Sequence, residues 1–103
     1  MEERIYAGVC INCNEQGYLT DFKQWNKDVG TDIAKEEQIT MTEKHWEVVY
    51  YIQDQYKQDV PLTIRKIGKS GVVTIKEFYQ LFPKGPLKVS SRISGIPKPA
   101  SCI

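Results

Sequence analysis

The order of apolar and polar residues divides the chain into a short β region followed by helices. Arg4-Ile5-Tyr6-Ala7 and Val9-Cys10-Ile11-Asn12-Cys13 are rich in β-branched and aromatic residues, and Gly8 separates them. That composition between turn residues predicts a hairpin or small meander. Asn14-Glu15-Gln16-Gly17 reads as a further turn, after which Tyr18-Leu19 begins a third strand. From Trp25 the period lengthens. Trp25, Val29, Ile33 and Ile39 fall near helical spacing, leaving Lys27, Asp28, Lys35 and Glu36 for the wet face. Gly30 interrupts that segment at some cost in helix propensity.

The clearest helix follows Thr42, a residue suited to capping the first free amides. Trp46, Val49, Tyr50, Ile52 and Tyr56 supply its apolar stripe, and the aromatic members read as core rather than as a ligand box. It must end before Pro61, because the residue preceding a proline is pushed out of the helical region. A helix over Thr63 to Lys69 comes next, then a turn at Ser70-Gly71. Thr74-Ile75-Lys76-Glu77 fits a capping box and starts another helix. Pro83-Lys84-Gly85-Pro86 is a break, and Leu87 to Ile93 has room for one or two further turns.

Beyond Ile93 the composition changes. Ser94-Gly95-Ile96-Pro97-Lys98-Pro99-Ala100-Ser101-Cys102-Ile103 carries two prolines at alternate positions, which favour an extended path without internal hydrogen bonds. The fold class predicted is α+β: a small N-terminal β-meander on an array of about five helices. Residues 1–93 form the domain and 94–103 an extended arm.

A length of 103 residues with 41% apolar and 26% charged content suits one globular domain. No apolar run approaches the ~18 residues a membrane span needs, and Met1-Glu2-Glu3-Arg4-Ile5 does not begin a signal peptide. The expected compartment is the cytoplasm, where thiols stay reduced. Net charge is +1, but unevenly spread. Residues 1–62 hold six basic against twelve acidic side chains; residues 63–103 hold eight against one. Either the basic part meets an acidic partner, protein or nucleic acid, or the two parts neutralise each other on folding.

Three cysteines, an odd number in a reducing compartment, argue against a disulfide framework. Cys102 sits on the proline-stiffened arm, where an exposed thiol can reach into a partner's site. Lys98 favours its thiolate, while the carboxylate of Ile103 opposes it. Cys10 and Cys13 form C-x-x-C, but on a strand residues three apart face opposite ways, and redox use wants a helix N-terminus. A zinc site would need two further ligands, and His45 is the sole histidine, so neither metal nor cofactor is expected. His45, beside Trp46, reads as structural. Thr63 to Phe82 also reads as helix-turn-helix with Lys66, Lys69 and Lys76 nearby, the pattern of a DNA-binding regulatory module. No paired-carboxylate site, Ser-His-Asp order or phosphate-cradling Gly loop is visible, so the chain does not read as a self-sufficient enzyme.

Gly95-Ile96-Pro97-Lys98-Pro99 with Cys102-Ile103 resembles the terminal signature of the DsrC/TusE family. The resemblance extends through Gly17-Tyr18-Leu19, Trp25, Ile33-Ala34, Thr42, His45-Trp46-Glu47-Val48-Val49, Pro61, Ile64-Arg65 and Leu81-Phe82-Pro83-Lys84-Gly85-Pro86. It implies a β-meander packed on helices and a persulfide carried on Cys102. It also implies a donor sulfurtransferase and an acceptor protein, either a tRNA thiolation enzyme or a sulfite reductase, with tRNA touched only indirectly. Sulfite-reductase-associated members have a second cysteine eleven residues upstream of the penultimate one, where this chain has Ser91. A serine cannot share a disulfide or trisulfide. The resemblance therefore leans toward the TusE-like members, which relay sulfur toward thiolation of a tRNA wobble uridine.

Overall fold

The computed structural model describes residues 2–97. Strands β1 (Glu2–Tyr6) and β2 (Val9–Cys13) pair antiparallel, in register from Glu2 opposite Cys13 to Tyr6 opposite Val9. Ala7 and Gly8 both take positive φ, 54° and 75°, the two-residue turn whose twist suits a tight hairpin. Ala7 is held there by its N–H, which donates to Asp32 Oδ2 at 2.6 Å. Tyr6, Ile11 and Cys13 face inward and are buried, while Ile5 and Cys10 face out.

The expected third strand shrinks to one bridge, Cys13 to Leu19. Asn14 explains this, since its side-chain oxygen accepts from the N–H groups of both Gln16 and Tyr18 and curls the chain. Asp21 then caps a 3-10 turn, Phe22–Gln24, before a further strand can extend.

Five helices follow: α1 (Lys27–Glu36), α2 (Glu43–Lys57), α3 (Ile64–Lys69), α4 (Ile75–Leu81) and α5 (Pro86–Ile93). Asn26 caps α1 through Val29 N–H, so Trp25 lies just outside the helix. Gly30 sits where a side chain would be crowded; a Cβ there would come within 3.1 Å of the Ile93 carbonyl and of the Trp25 ring. The propensity lost at Gly30 is thus offset by close packing of α1 on α5.

The apolar stripe of α2 differs from the sequence expectation. Val48, Val49 and Ile52 are fully buried with His45 and Gln53 beside them, whereas Tyr50 and Tyr56 are exposed and Trp46 is half-buried. Val49 and Ile52 of the expected stripe hold the core as foreseen, Val48 joins them, and the aromatic members turn outward. Trp46 and Tyr50 stack on each other outside it, ring centroids 6.1 Å apart.

His45 is structural, as its isolation suggested. Its Nδ1 accepts from Thr42 N–H at 3.1 Å, so the proton resides on Nε2, which donates to the Leu81 carbonyl at 3.0 Å. One neutral imidazole therefore closes the capping box of α2 and ties it to the end of α4. At the centre stands α5, packed against α1, α2 and α4. Val89 and Ile93 of α5 meet Val29, Ile33 and Ile52 in the common core. No helix among the described residues is long and apolar enough to cross a membrane.

Candidate functional site

The C-terminal end of α5 is where the chain is handed from the domain to its last residues. Pro86 begins this helix at a position where a missing N–H costs nothing. Gly95, at φ +75°, ends it. Gly95 N–H donates to the Arg92 carbonyl at 3.2 Å and Ile96 N–H to the Ser91 carbonyl at 3.3 Å, the paired bonds of a Schellman turn. Ile96 is 2% exposed, which supplies the apolar contact such turns use.

Two side chains then grip the outgoing backbone. Trp25 Nε1–H donates to the Ile93 carbonyl at 2.7 Å, and Gln53 Nε2–H to the Ser94 carbonyl at 2.8 Å. The indole also lies over Gly95, where a Cβ would sit 2.4 Å from its Cδ1. So Gly95 and Ile96, expected on an extended arm from residue 94, belong to an anchored turn. The alternate prolines start later, and Pro97 is the first exposed residue. Lys98, Pro99, Cys102 and Ile103 lie outside the described residues.

Sequence reasoning missed Trp25 and Gln53 as anchors. A signal for Gln53 was present: an amide standing among buried aliphatic positions needs a partner. Nothing in the sequence pointed to the indole as donor to a carbonyl 68 residues away.

One turn back along α5, Arg92 is buried and spends its donors on four groups. Nε donates to the Gly17 carbonyl at 3.1 Å, Nη1 to Glu37 at 2.6 Å, and Nη2 to the Tyr6 hydroxyl at 2.8 Å and to Glu36. Tyr6 hydroxyl in turn donates to Glu36 at 3.0 Å, and Arg4 adds a longer contact. Burial alone would raise the Glu36 carboxyl, but the hydrogen bond and charge of Arg92 outweigh it and hold it below its ordinary value. Burial pushes the Tyr6 hydroxyl up. Beside Arg92, Ser91 is fully buried and its hydroxyl has no hydrogen-bond partner among the described residues.

The C-x-x-C residues part as the strand geometry requires. Cys13 is buried under the hairpin and Cys10 is exposed outside it. A hydrogen bond to the Glu3 side chain, and then its charge, push the Cys10 thiol above its ordinary value, which disfavours the nucleophilic thiolate. Among the described residues no three His, Cys, Asp or Glu side chains gather as a metal site would need. Helices α3 and α4 do pack together, but the cations do not collect on the second of them. Exposed α4 offers Lys76 beside Glu77, Ile75 and Tyr79, while Arg65, Lys66 and Lys69 lie on α3. A recognition helix of a DNA reader would carry its contacts on the second helix.

A hairpin laid on five helices, the last ending in an anchored turn before a proline-containing tail, defines a class. The chain belongs to the DsrC-like family, whose description "DsrC like protein" matches residues 6–103. It is 37% identical over 107 residues to the Sulfurtransferase TusE of Photorhabdus laumondii, covering 96% of each chain. It is 36% identical to the Sulfurtransferase TusE of Escherichia coli K12, covering 96% of this chain and 98% of that one. Among solved structures, the oxidized gamma-subunit of dissimilatory sulfite reductase (DsrC) from Archaeoglobus fulgidus superposes with a TM-score of 0.84. It shares 31% identity and covers 99% of this chain and 100% of its own. Allochromatium vinosum DsrC gives a TM-score of 0.81 at 29% identity, covering 99% of this chain and 98% of its own.

Proposed function

We propose that this chain is a cytoplasmic sulfur carrier of the TusE type, which accepts sulfane sulfur as a persulfide on Cys102 and relays it to a partner protein. The observation that carries the reading is the anchored root. Backbone carbonyls at Ile93 and Ser94 are held by Trp25 and Gln53, Ile96 is buried, and the chain is released at exposed Pro97. Five residues on, Cys102 cannot lie farther from Pro97 than about 17 Å, at ~3.4 Å per extended residue. A fixed base with a short tether presents one thiol to a partner without letting it sweep the surface.

The chemistry needs no oxidant. The Cys102 thiolate attacks the outer sulfur of a donor persulfide, the donor's S–S bond breaks, and the donor cysteine leaves as a thiolate. Cys102 then holds –S–SH, and an acceptor thiolate repeats the step in the next protein. Ser91 supports a relay with one thiol, because a serine at that position cannot close a disulfide with the tail. Neither Cys10, with its raised thiol, nor Cys13, under the hairpin, is suited to compete. The donor is a sulfurtransferase, and the acceptor is the enzyme that thiolates a tRNA wobble uridine.

Intact-protein mass spectrometry after incubation with a cysteine desulfurase, a donor sulfurtransferase and cysteine tests this. The expected result is a reductant-sensitive gain of one sulfur that disappears in Cys102→Ser while the unfolding temperature stays put. A gain that persists in that variant at the wild-type level would overturn the assignment.

A further inference from the structure

Helix α1 sorts its polar residues into two stripes. Asp32 and Glu36 turn toward the hairpin and Arg92, where Asp32 accepts from Ala7 N–H and Glu36 from the guanidinium. Lys27, Thr31 and Lys35, each four residues from the next, share another side. These three line an open cleft of about 340 Å³, and Ile39, Met41 and Trp46 supply its apolar lining. Lys27 Nζ sits 5.0 Å from the centroid of the Trp46 ring, which steadies the cation without neutralising it. Among the described residues no carboxylate pairs with Lys27 or Lys35. The apolar surface continues past the cleft, since Tyr50, stacked on Trp46, is 48% exposed. Lys27 follows two residues after Trp25, so one end of the cleft lies near the side chain that grips the root of the tail.

These features choose the occupant. Lys27 and Lys35 stand about 12 Å apart along the helix axis, at ~1.5 Å per residue, too far for one small anion to bridge. A nucleic-acid strand stacks its bases on bare aromatic faces. Here the Trp46 ring is already covered by Lys27 and stacked with Tyr50. Aromatic and Met side chains at the centre, with charge moved to the rim, are the composition of a protein interface. Spread over those ~12 Å, the cleft is only about 5 Å across, too narrow for a helix of about 10–12 Å. In an extended strand residues i, i+2 and i+4 share a face and span about 14 Å, at ~3.4 Å per residue. We propose that the α1–α2 cleft docks an extended acidic segment of a protein partner, in the order acidic, any, apolar, any, acidic. Its two carboxylates pair with Lys27 and Lys35, and the apolar side chain between them rests on Met41 and Trp46. The inference deepens the carrier reading and rests on it only in expecting a protein partner.

Titration of the nitrogen-15-labelled full chain with the end-capped peptide Gly-Glu-Thr-Phe-Thr-Glu-Gly, followed by NMR at low salt, tests it. Shifts are expected at the amides of Lys27 to Lys35 and Ile39 to Met41 and at the Trp46 indole N–H. Losing two exposed ion pairs, Lys27→Gln/Lys35→Gln should bind the peptide about tenfold more weakly. Lys66→Gln/Lys69→Gln, which removes the same charge from exposed sites on α3, should bind it as the wild type does. A peptide of the same composition with its two Glu residues adjacent should bind less well than the spaced one. No shifts at millimolar peptide, shifts centred elsewhere, equal binding of the two peptides, or equal affinity in the two double variants would each overturn the proposal. So would tighter binding of a mixed-sequence oligonucleotide at this face, or a dimer formed through it, which would give the cleft to a nucleic acid or to a second copy. Sulfur loading of Cys102 from a small persulfide, followed by mass, does not depend on the cleft, and its absence in the wild-type chain would overturn the carrier reading alone.

Discussion

Helix α5 and its C-cap carry three fully buried serines that differ in one respect. Ser90 Oγ donates to the Leu87 carbonyl at 3.3 Å and Ser94 Oγ to the Ser90 carbonyl at 2.6 Å, while Ser91 Oγ has no partner among the described residues. A buried polar group without a hydrogen bond costs roughly 1–3 kcal/mol. Ser91→Ala removes that cost. It leaves a void on the order of 10 Å³, worth about 0.2 kcal/mol at ~24 cal/mol per Å³. Alanine also gains up to about 0.5 kcal/mol in helix propensity. The expected net effect is stabilisation by about 1–2 kcal/mol. For a domain of this size each kcal/mol moves the midpoint by about 4–8 °C, so Tm should rise by at least ~4 °C in calorimetry. Ser94→Ala, which gives up a satisfied bond, should lose roughly 0.5–1 kcal/mol. A fall in the Tm of Ser91→Ala, or equal responses at 91 and 94, would show that the Ser91 hydroxyl is satisfied and refute the reasoning.

The remaining predictions concern the anchored turn and acid. Gly95→Ala places a side chain at φ +75° and against the Trp25 ring, so it should cost at least about 1–2 kcal/mol by urea titration. It should also slow sulfur delivery to the acceptor more than loading from a small persulfide; equal slowing of both would argue against a positioning role. For pH, the sign follows from the neutral state of His45. Burial lowers its folded pKa, against the smaller raising effect of its bond to Leu81, so the unfolded chain binds the extra proton first. Stability is full above the ordinary histidine value of 6.5, drops as pH falls below it, and levels off once the lowered folded value is passed. Glu36, also lowered, adds a second loss in stronger acid, as pH falls through its folded value below 4.5. Tm measured against pH should show both steps, and His45→Gln should remove the upper one; a flat profile from neutral to pH 5 would contradict the first.

Local signals carried most of the fold. Thr42, Thr63 and Thr74 each stand immediately before a helix, and the break at Pro83 to Pro86 precedes the last one. These were legible because caps and stops act within a turn of their own position. Three features escaped the pattern for a shared reason. The third strand at Tyr18-Leu19 lost to side-chain bonds of Asn14, the aromatic stripe of α2 lost the core to its aliphatic neighbours, and Ser94 to Ile96 were drawn onto the domain by Trp25 and Gln53. Each outcome is decided by a competition or by a partner distant in sequence, which periodicity cannot register. The candidate site was half visible: Gly95 and the prolines marked the tail, but not what holds it.

The buried guanidinium of Arg92 has a consequence for the order in which the chain folds. Its bonds reach back to Tyr6, Gly17 and Glu36, up to 86 residues away. Closing a loop that long costs about 4 kcal/mol in chain entropy, on the (3/2)RT ln n estimate. The hairpin can zip early from its own turn and dock on α1, but the Arg92 bonds that tie it to the end of the chain wait for the last helix. Assembly therefore finishes at the helix that ends in the anchored turn. Trp25 and Gln53 can grip that end only once the segments between have folded, so a misassembled chain leaves the turn without its anchors.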